Sequence, residues 1–124
     1  MIRVLFLIFI NLFIHKELIL EITESGNKQV KIAILQKNDS TFVGQQIVNI
    51  ISNDLERTGE FDILSSDQLL SIPKNESEVI QRDWLMLDVD SIVFVETKEN
   101  GGSLDISYSI FNVSYNETQE KRRV

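Results

Sequence analysis

The stretch NDLERTGEFDIL, Asn53 to Leu64, decides how the rest of the chain is read. Arg57 suits the negative end of a helix dipole, and Gly59 can take the left-handed conformation that closes the last helical carbonyls. Phe61 then opens FDIL (Phe61–Leu64) as a strand with its ring in a core. A helix that stops on glycine and passes straight into a strand is a junction of a layered α/β fold.

Upstream, KNDST supplies Ser40 or Thr41 as a helix N-cap, and Val43, Ile47, Ile50, Ile51 and Leu55 follow at the spacing of one helical face. Before that cap, VKIAIL (Val30–Leu35) is almost continuously apolar, which predicts a strand covered on both faces of a sheet. LILEIT (Leu18–Thr23) has a strand pattern too, and ESGNKQ separates the two. It reads either as an edge strand or as a mobile arm.

Downstream, SSDQLLSIP predicts a short capped helical turn ending before Pro73. NESEVIQRDWLML predicts a helix from near Ser77 with Val79, Ile80, Trp84 and Leu87 inward. Asp88 to Asp90 mark a turn into SIVFVE (Ser91–Glu96), and KENGG (Lys98–Gly102) is a hairpin signal because Asn-Gly-Gly tolerates positive φ. Leu104, Ile106, Tyr108 and Ile110 then alternate with Asp105, Ser107 and Ser109, Phe111 and Val113 interrupt the polar side, and QEKRRV begins a partner strand. The expected fold class is α/β: a mixed β-sheet of about five strands with packed helices, as a layered sandwich.

At 124 residues, with 43% hydrophobic and 25% charged residues, one Pro and five Gly, the chain suits one globular domain. Arg3 followed by VLFLIFINLFI (Val4–Ile14) has the length of a secretory h-region and falls short of the ~20 apolar residues that span a bilayer. Residues 1–17 are therefore read as a signal peptide and 18–29 as an N-terminal arm or strand. An uncleaved anchor and a buried core element are the alternatives. Without Arg3, Lys16 and Glu17 the chain carries 10 basic and 18 acidic residues, a net charge of −8. Such acidity argues against nucleic acid, since the only basic run is KRR at 121–123. The absence of cysteine removes disulfides, thiolate metal sites and cysteine nucleophiles, and an exported chain without disulfides suits a bacterial periplasm. Sequons at Asn38, Asn75, Asn112 and Asn116 match a three-residue pattern common by chance.

Chemistry is sparse. The single histidine, His15, lies at the edge of the signal, so no catalytic Ser-His pair is expected in the processed chain. Carboxylate pairs such as Asp88 with Asp90 and Asp54 with Glu56 are expected to be solvated, and no glycine-rich phosphate loop follows a strand. Trp84 is better placed in the core than at a binding surface. The expectation is no catalytic residue, cofactor, metal or small-molecule substrate. What remains is LILEIT: an extended segment can add itself as a strand to another protein's sheet edge, or pair with its own sheet.

Taken in order, LEIT with SG (Leu20–Thr23, Ser25, Gly26), IAI, DLERTGEF, the tryptophan, DVDSIVF and SLDISYSIFNV resemble the TolB family's N-terminal domain, from the periplasmic component of the Tol-Pal envelope system. The most specific piece is the junction, where Asp54, Leu55, Thr58, Gly59 and Phe61 match the family's Asp-Leu, Ser-Gly and Phe, with Thr in place of Ser. The resemblance implies a non-enzymatic adaptor whose arm, here Leu20, Glu21, Ile22, Thr23 and Gly26, engages the C-terminal domain of inner-membrane TolA. In the family a six-bladed propeller binds the lipoprotein Pal. With 30–124 as the α/β domain, that propeller is absent from these residues and the chain is expected to be truncated. Val95 stands where the family often has Gly. The alternatives are a small periplasmic ligand-binding or enzymatic domain, and a domain of outer-membrane lipoprotein assembly type, which can share the topology but here lacks a lipobox cysteine.

Overall fold

The computed structural model describes residues 28–38 and 40–123. Five strands form one sheet: β1 (Val30–Gln36), β2 (Phe61–Ile63), β3 (Ser91–Asn100), β4 (Ser103–Asn112) and β5 (Glu117–Arg123), in the order β2-β1-β3-β4-β5. β1 runs parallel to both β2 and β3, and β3-β4-β5 form an antiparallel meander. This is the mixed α/β sheet the pattern predicts.

One face of the sheet carries helix α1 (Phe42–Arg57), which packs on β1, β2 and β3. Its side chains meet Ile32, Ile34 and Val95 through Val48, with Ile47, Ile51 and Leu55 around them. The other face is covered by the connection from β2 to β3, which holds two 3₁₀ turns (Ser66–Gln68 and Glu76–Glu78) and the short helix α2 (Gln81–Met86). There Trp84 is 1% exposed and packs with Ala33, Leu35, Val89, Ile92, Phe94, Phe111 and Val113. Because β1 is inside the sheet and covered twice, Ile32, Ala33, Ile34 and Leu35 are all buried in succession.

The junction behaves as its sequence dictates. Thr58 Oγ1 donates to Leu55 O at 2.7 Å, the Gly59 N–H donates to Glu56 O at 3.0 Å, and Gly59 sits at φ 78°. At the other end of α1, Thr41 caps Gly44 N at 2.9 Å. The amide of Gln36 brackets Thr41, accepting from its N–H at 2.9 Å and donating to its carbonyl at 3.2 Å. A Cβ on Gly44 would stand 2.1 Å from Gln36 Oε1, so a larger residue there would displace the Gln36 amide from its bracket on Thr41.

Two local expectations are corrected. Ile50 is 55% exposed rather than inward: the buried stripe is Gly44, Ile47, Val48, Ile51 and Leu55, because the helix turns its smallest residue toward Gln36. The helix expected from Ser77 is broken into the 3₁₀ turn and α2, with Val79 and Ile80 extended between them. Local side-chain bonds fold back on the start of that first turn, where Asn75 Oδ1 accepts from Ser77 N at 2.9 Å and Glu78 Oε1 accepts from Lys74 N at 2.9 Å, and the chain becomes extended straight after it at Val79. Ile80 consequently lies 49% exposed, whereas Trp84 is in the core as predicted.

The hairpin is also as read. β3 extends past Glu96 to Asn100, and Gly101 and Gly102 both have positive φ (47° and 91°), giving a two-residue turn of the kind that matches strand twist. On β4 the alternation holds, with a difference in burial. Ser109, on the polar side, is 4% exposed, while Leu104 on the apolar side is 40% exposed. Val95 is 1% exposed and packs against the α1 face.

Trp84→Ala should cost about 3–5 kcal/mol in urea unfolding, as large-to-small changes in a packed core do. Gly59→Ala, with open space where its Cβ would stand, should cost only about 1 kcal/mol from the left-handed backbone. Equal costs at the two sites would contradict this account.

Candidate protein-interaction site

The arm residues Leu20, Glu21, Ile22, Thr23 and Gly26, like the expected signal at 1–17, lie outside the described residues. What is described is the point where that arm joins the fold. Gln29 Nε2 donates to Gly59 O at 3.1 Å and Val30 N donates to Glu60 O at 3.0 Å, so the junction that identifies the chain also holds the root of the arm. One residue on, Lys31 N donates to Asp90 Oδ2 at 2.9 Å, Asp90 N donates to Lys31 O at 2.8 Å, and Lys31 Nζ donates to Leu87 O at 3.3 Å. The start of β1 is thereby clamped from both sides.

The acidic residues singled out in the sequence do not converge. Asp90 is used in that clamp, Asp88 occupies a left-handed turn at φ 62°, and Asp54 pairs with Arg57 on the surface of α1. Among the described residues no group of three His, Asp or Glu side chains could hold a metal ion.

Among the described residues a partly buried charge network that no local sequence pattern marks centres on Glu76. Glu76, on the second 3₁₀ turn, accepts from the Ser109 hydroxyl of β4 and pairs with Lys37 at 3.1 Å. Beside it Asn38 Nδ2 donates to Glu96 Oε2 at 3.0 Å. Of these groups Lys37, Glu96 and Ser109 border a cavity of about 310 Å³ lined also by Ser107, Lys121, Arg122 and Arg123. Most of its cations already have partners, Arg123 with Asp105 at 3.3 Å and Lys37 with Glu76, so the cluster braces the turn against the sheet. Its sequence signal was Pro73 followed by Asn75, a loop that has to return to the sheet. Ser109 read as an outward serine because nothing local marks the carboxylate that covers it.

Burial raises the Glu76 carboxyl, but hydrogen bonds from Ser109, from its own backbone and from Lys37, together with the Lys37 charge, outweigh this and hold it below its ordinary value of 4.5. A carboxylate depressed in the folded state contributes stability above its unfolded value, which is lost as pH falls through the folded value.

Fold and polar geometry together define a small mixed-sheet α/β domain whose charged groups hold its own loops. Its family is equally plain: a family model described as the TolB amino-terminal domain matches residues 18–119. The chain belongs to the TolB amino-terminal domain family. It is 30% identical over 95 residues to the Tol-Pal system protein TolB of Pseudomonas entomophila, covering 75% of this chain and 22% of that one. Against the protein of the same name from Pseudomonas syringae pv. tomato it is 36% identical over 70 residues, 56% of this chain and 16% of that one. The chain thus spans about a fifth of the length of the relatives it matches. Among solved structures, TolB from Acinetobacter baumannii superposes with a TM-score of 0.56 at 21% identity, covering 78% of this chain and 23% of that one. The LpoB C-terminal domain from Salmonella enterica shares the fold as well, with a TM-score of 0.57 at 11% identity, covering 75% and 79%.

Glu76→Gln should lower stability by about 1–2 kcal/mol at neutral pH, the cost of weakening a charge-assisted hydrogen-bond set. The gap from the parent should shrink as pH falls below about 4.5, because the parent carboxylate is then protonated too. Parallel stability curves from pH 7 to 3 would show that Glu76 does not carry this acid dependence.

Proposed function

We propose that this domain is a non-enzymatic adaptor of the Tol-Pal system, exported to the periplasm by residues 1–17 and joining other envelope proteins through residues 18–29. The observation that carries this is the family match from residue 18, which takes in the arm as well as the folded domain. The relatives' shared name, Tol-Pal system protein TolB, supplies the system. Within it Leu20, Glu21, Ile22, Thr23 and Gly26 engage the C-terminal domain of TolA, and linkage to Pal runs through a propeller outside the α/β domain at 30–124.

Two features of the fold support an arm that pairs by its main chain. The arm leaves the domain beside Gly59 and Glu60, at the edge-strand side of the sheet. In addition, the far edge strand β5 carries Glu117, Glu120, Lys121, Arg122 and Arg123, and so dense a row of charge protects an edge against unwanted pairing. An extended LEIT segment needs only backbone partners plus pockets for alternate side chains.

The protein recovered from the periplasm of expressing cells should begin at residue 18, and intact mass would read this directly; a product retaining Met1 would remove the signal from the reading. Titrated with the TolA C-terminal domain by calorimetry, the processed chain should bind. Ile22→Pro, which removes a main-chain donor and fixes φ, should weaken binding at least about tenfold with the fold unchanged by circular dichroism. Undetectable binding by the parent would refute the adaptor role.

A further inference from the structure

Strand β1 is paired along its whole length on one side only. Toward β3 the ladder runs from Ile32 to Gln36 and continues to Lys37, whose N–H donates to Val95 O at 2.8 Å. Toward β2 the register covers only Val30, Lys31 and Ile32, and its last rung is Leu64 N donating to Ile32 O at 3.0 Å. In a parallel ladder alternate residues point their backbone groups to opposite neighbours, so Val30 and Ile32 serve β2 while the odd-numbered residues serve β3. The next groups on the β2 side are the N–H and C=O of Ile34 and the N–H of Gln36. Among the described residues none of these has a hydrogen-bond partner on that side.

The chain leaves the sheet at that point for a local reason. Ser65 N donates to Gln68 Oε1 at 2.8 Å, which diverts it into the 3₁₀ turn Ser66–Gln68. A groove of about 550 Å³ remains beside the open edge. One wall is the α1 stripe Gln45, Asn49, Ser52 and Glu56, and the other includes Leu69 and Ile72, of which Ile72 is 62% exposed. Spacing of i, i+4, i+7 and i+11 along a helix is about 16 Å, the length of about five extended residues. Glu56 is the only charged side chain among the described residues lining the groove.

We infer that this slot accepts an extended segment of a partner protein, added as a strand beside Ile34–Gln36. Its apolar side chains lie toward Leu69 and Ile72, and a basic residue at one end meets Glu56. The open backbone groups fix the main-chain mode of binding. Glu56, the one anion among the described residues lining the groove, on a chain of net charge −7, favours a basic residue in the partner segment. This surface receives a strand, whereas the arm at residues 18–29 offers one, so it stands apart from the adaptor reading.

The test uses the ¹⁵N-labelled full chain as exported, with two blocked hexapeptides as probes, Lys-Val-Thr-Val-Thr-Val and its reverse, one for each strand direction. One of them should shift the amide resonances of Ile34 and Gln36 and slow their hydrogen exchange. Asn49→Trp, which fills the groove, should weaken that peptide at least about tenfold by steric exclusion. Glu56→Lys, at an exposed position, should weaken it too and should favour the same peptide with Lys replaced by Glu. Absence of shifts at millimolar peptide, or shifts that survive both substitutions in a folded chain, would overturn the proposal. So would protection of Ile34 and Gln36 without peptide, if it is released by Leu20→Ser with Ile22→Ser (the chain's own arm) or by dilution (a second copy).

Discussion

The double burial of β1 is the constraint on which the molecule rests. A strand that hides Ile32, Ala33, Ile34 and Leu35 in succession needs a layer on each face and a strand on each side. α1 supplies one layer, the long connection around Trp84 supplies the other, and β3 supplies a complete parallel neighbour. The fourth requirement is met only in part, because β2 is three residues long. Everything that looks functional in the described residues gathers around β1: the root of the arm at its start, the Gln36 bracket at its end, and the open edge between.

Charge has a secondary and mostly internal task. The Asp90 carboxylate accepts from the Lys31 main-chain N–H at the beginning of β1, and Lys37 with Glu76 ties the second 3₁₀ turn to the continuation of the same strand. Both carboxylates come from the β2–β3 connection, the least regular part of the molecule and the one whose ordering costs most backbone entropy. Polar anchors at two points, with Trp84 between them in the core, let an irregular segment act as a layer. The exposed pairs, Asp54 with Arg57 and Glu120 with Arg122, add little by comparison because water screens them.

How far the sequence was legible follows from whether the information was local. The junction at Gly59, the hairpin at Gly101 and Gly102, the buried run of β1 and the inward Trp84 are all written in neighbouring residues, and the structure agrees with each. Ile50 lies outward because the helix turns Gly44 toward the Gln36 amide at the end of β1, a side-chain contact that hydrophobicity alone does not see. The helix from Ser77 is shorter than its periodicity predicts because Asn75 and Glu78 tie the start of a separate 3₁₀ turn and Val79 is extended after it, a contest between side chain and backbone that periodicity does not register. Ser109 and the open edge of β1 were invisible for the same reason: one depends on a carboxylate 33 residues away, the other on where β2 stops. The family resemblance rested on the local marks, and these are the parts that survived.

The treatment of the sheet's two edges bears on what such a domain is for. β5 is long enough to template another strand and is dense with charge, the usual protection of an edge that must stay unpaired. The opposite side has less such protection: Ile34 and Gln36 point backbone groups that have no partner on that side among the described residues into a groove with Gln45, Asn49, Ser52 and Glu56 on one wall and aliphatic side chains on the other. A shortened β2 leaves inner-strand chemistry, flanked on both faces, where an outer strand would be expected. A strand added there would gain the burial of an inner strand together with main-chain bonds. On the proposed reading, a domain with few reactive groups would thus have two complementary means of recognition, an arm to lend and a slot to fill, both relying on the same backbone pairing that builds its own sheet.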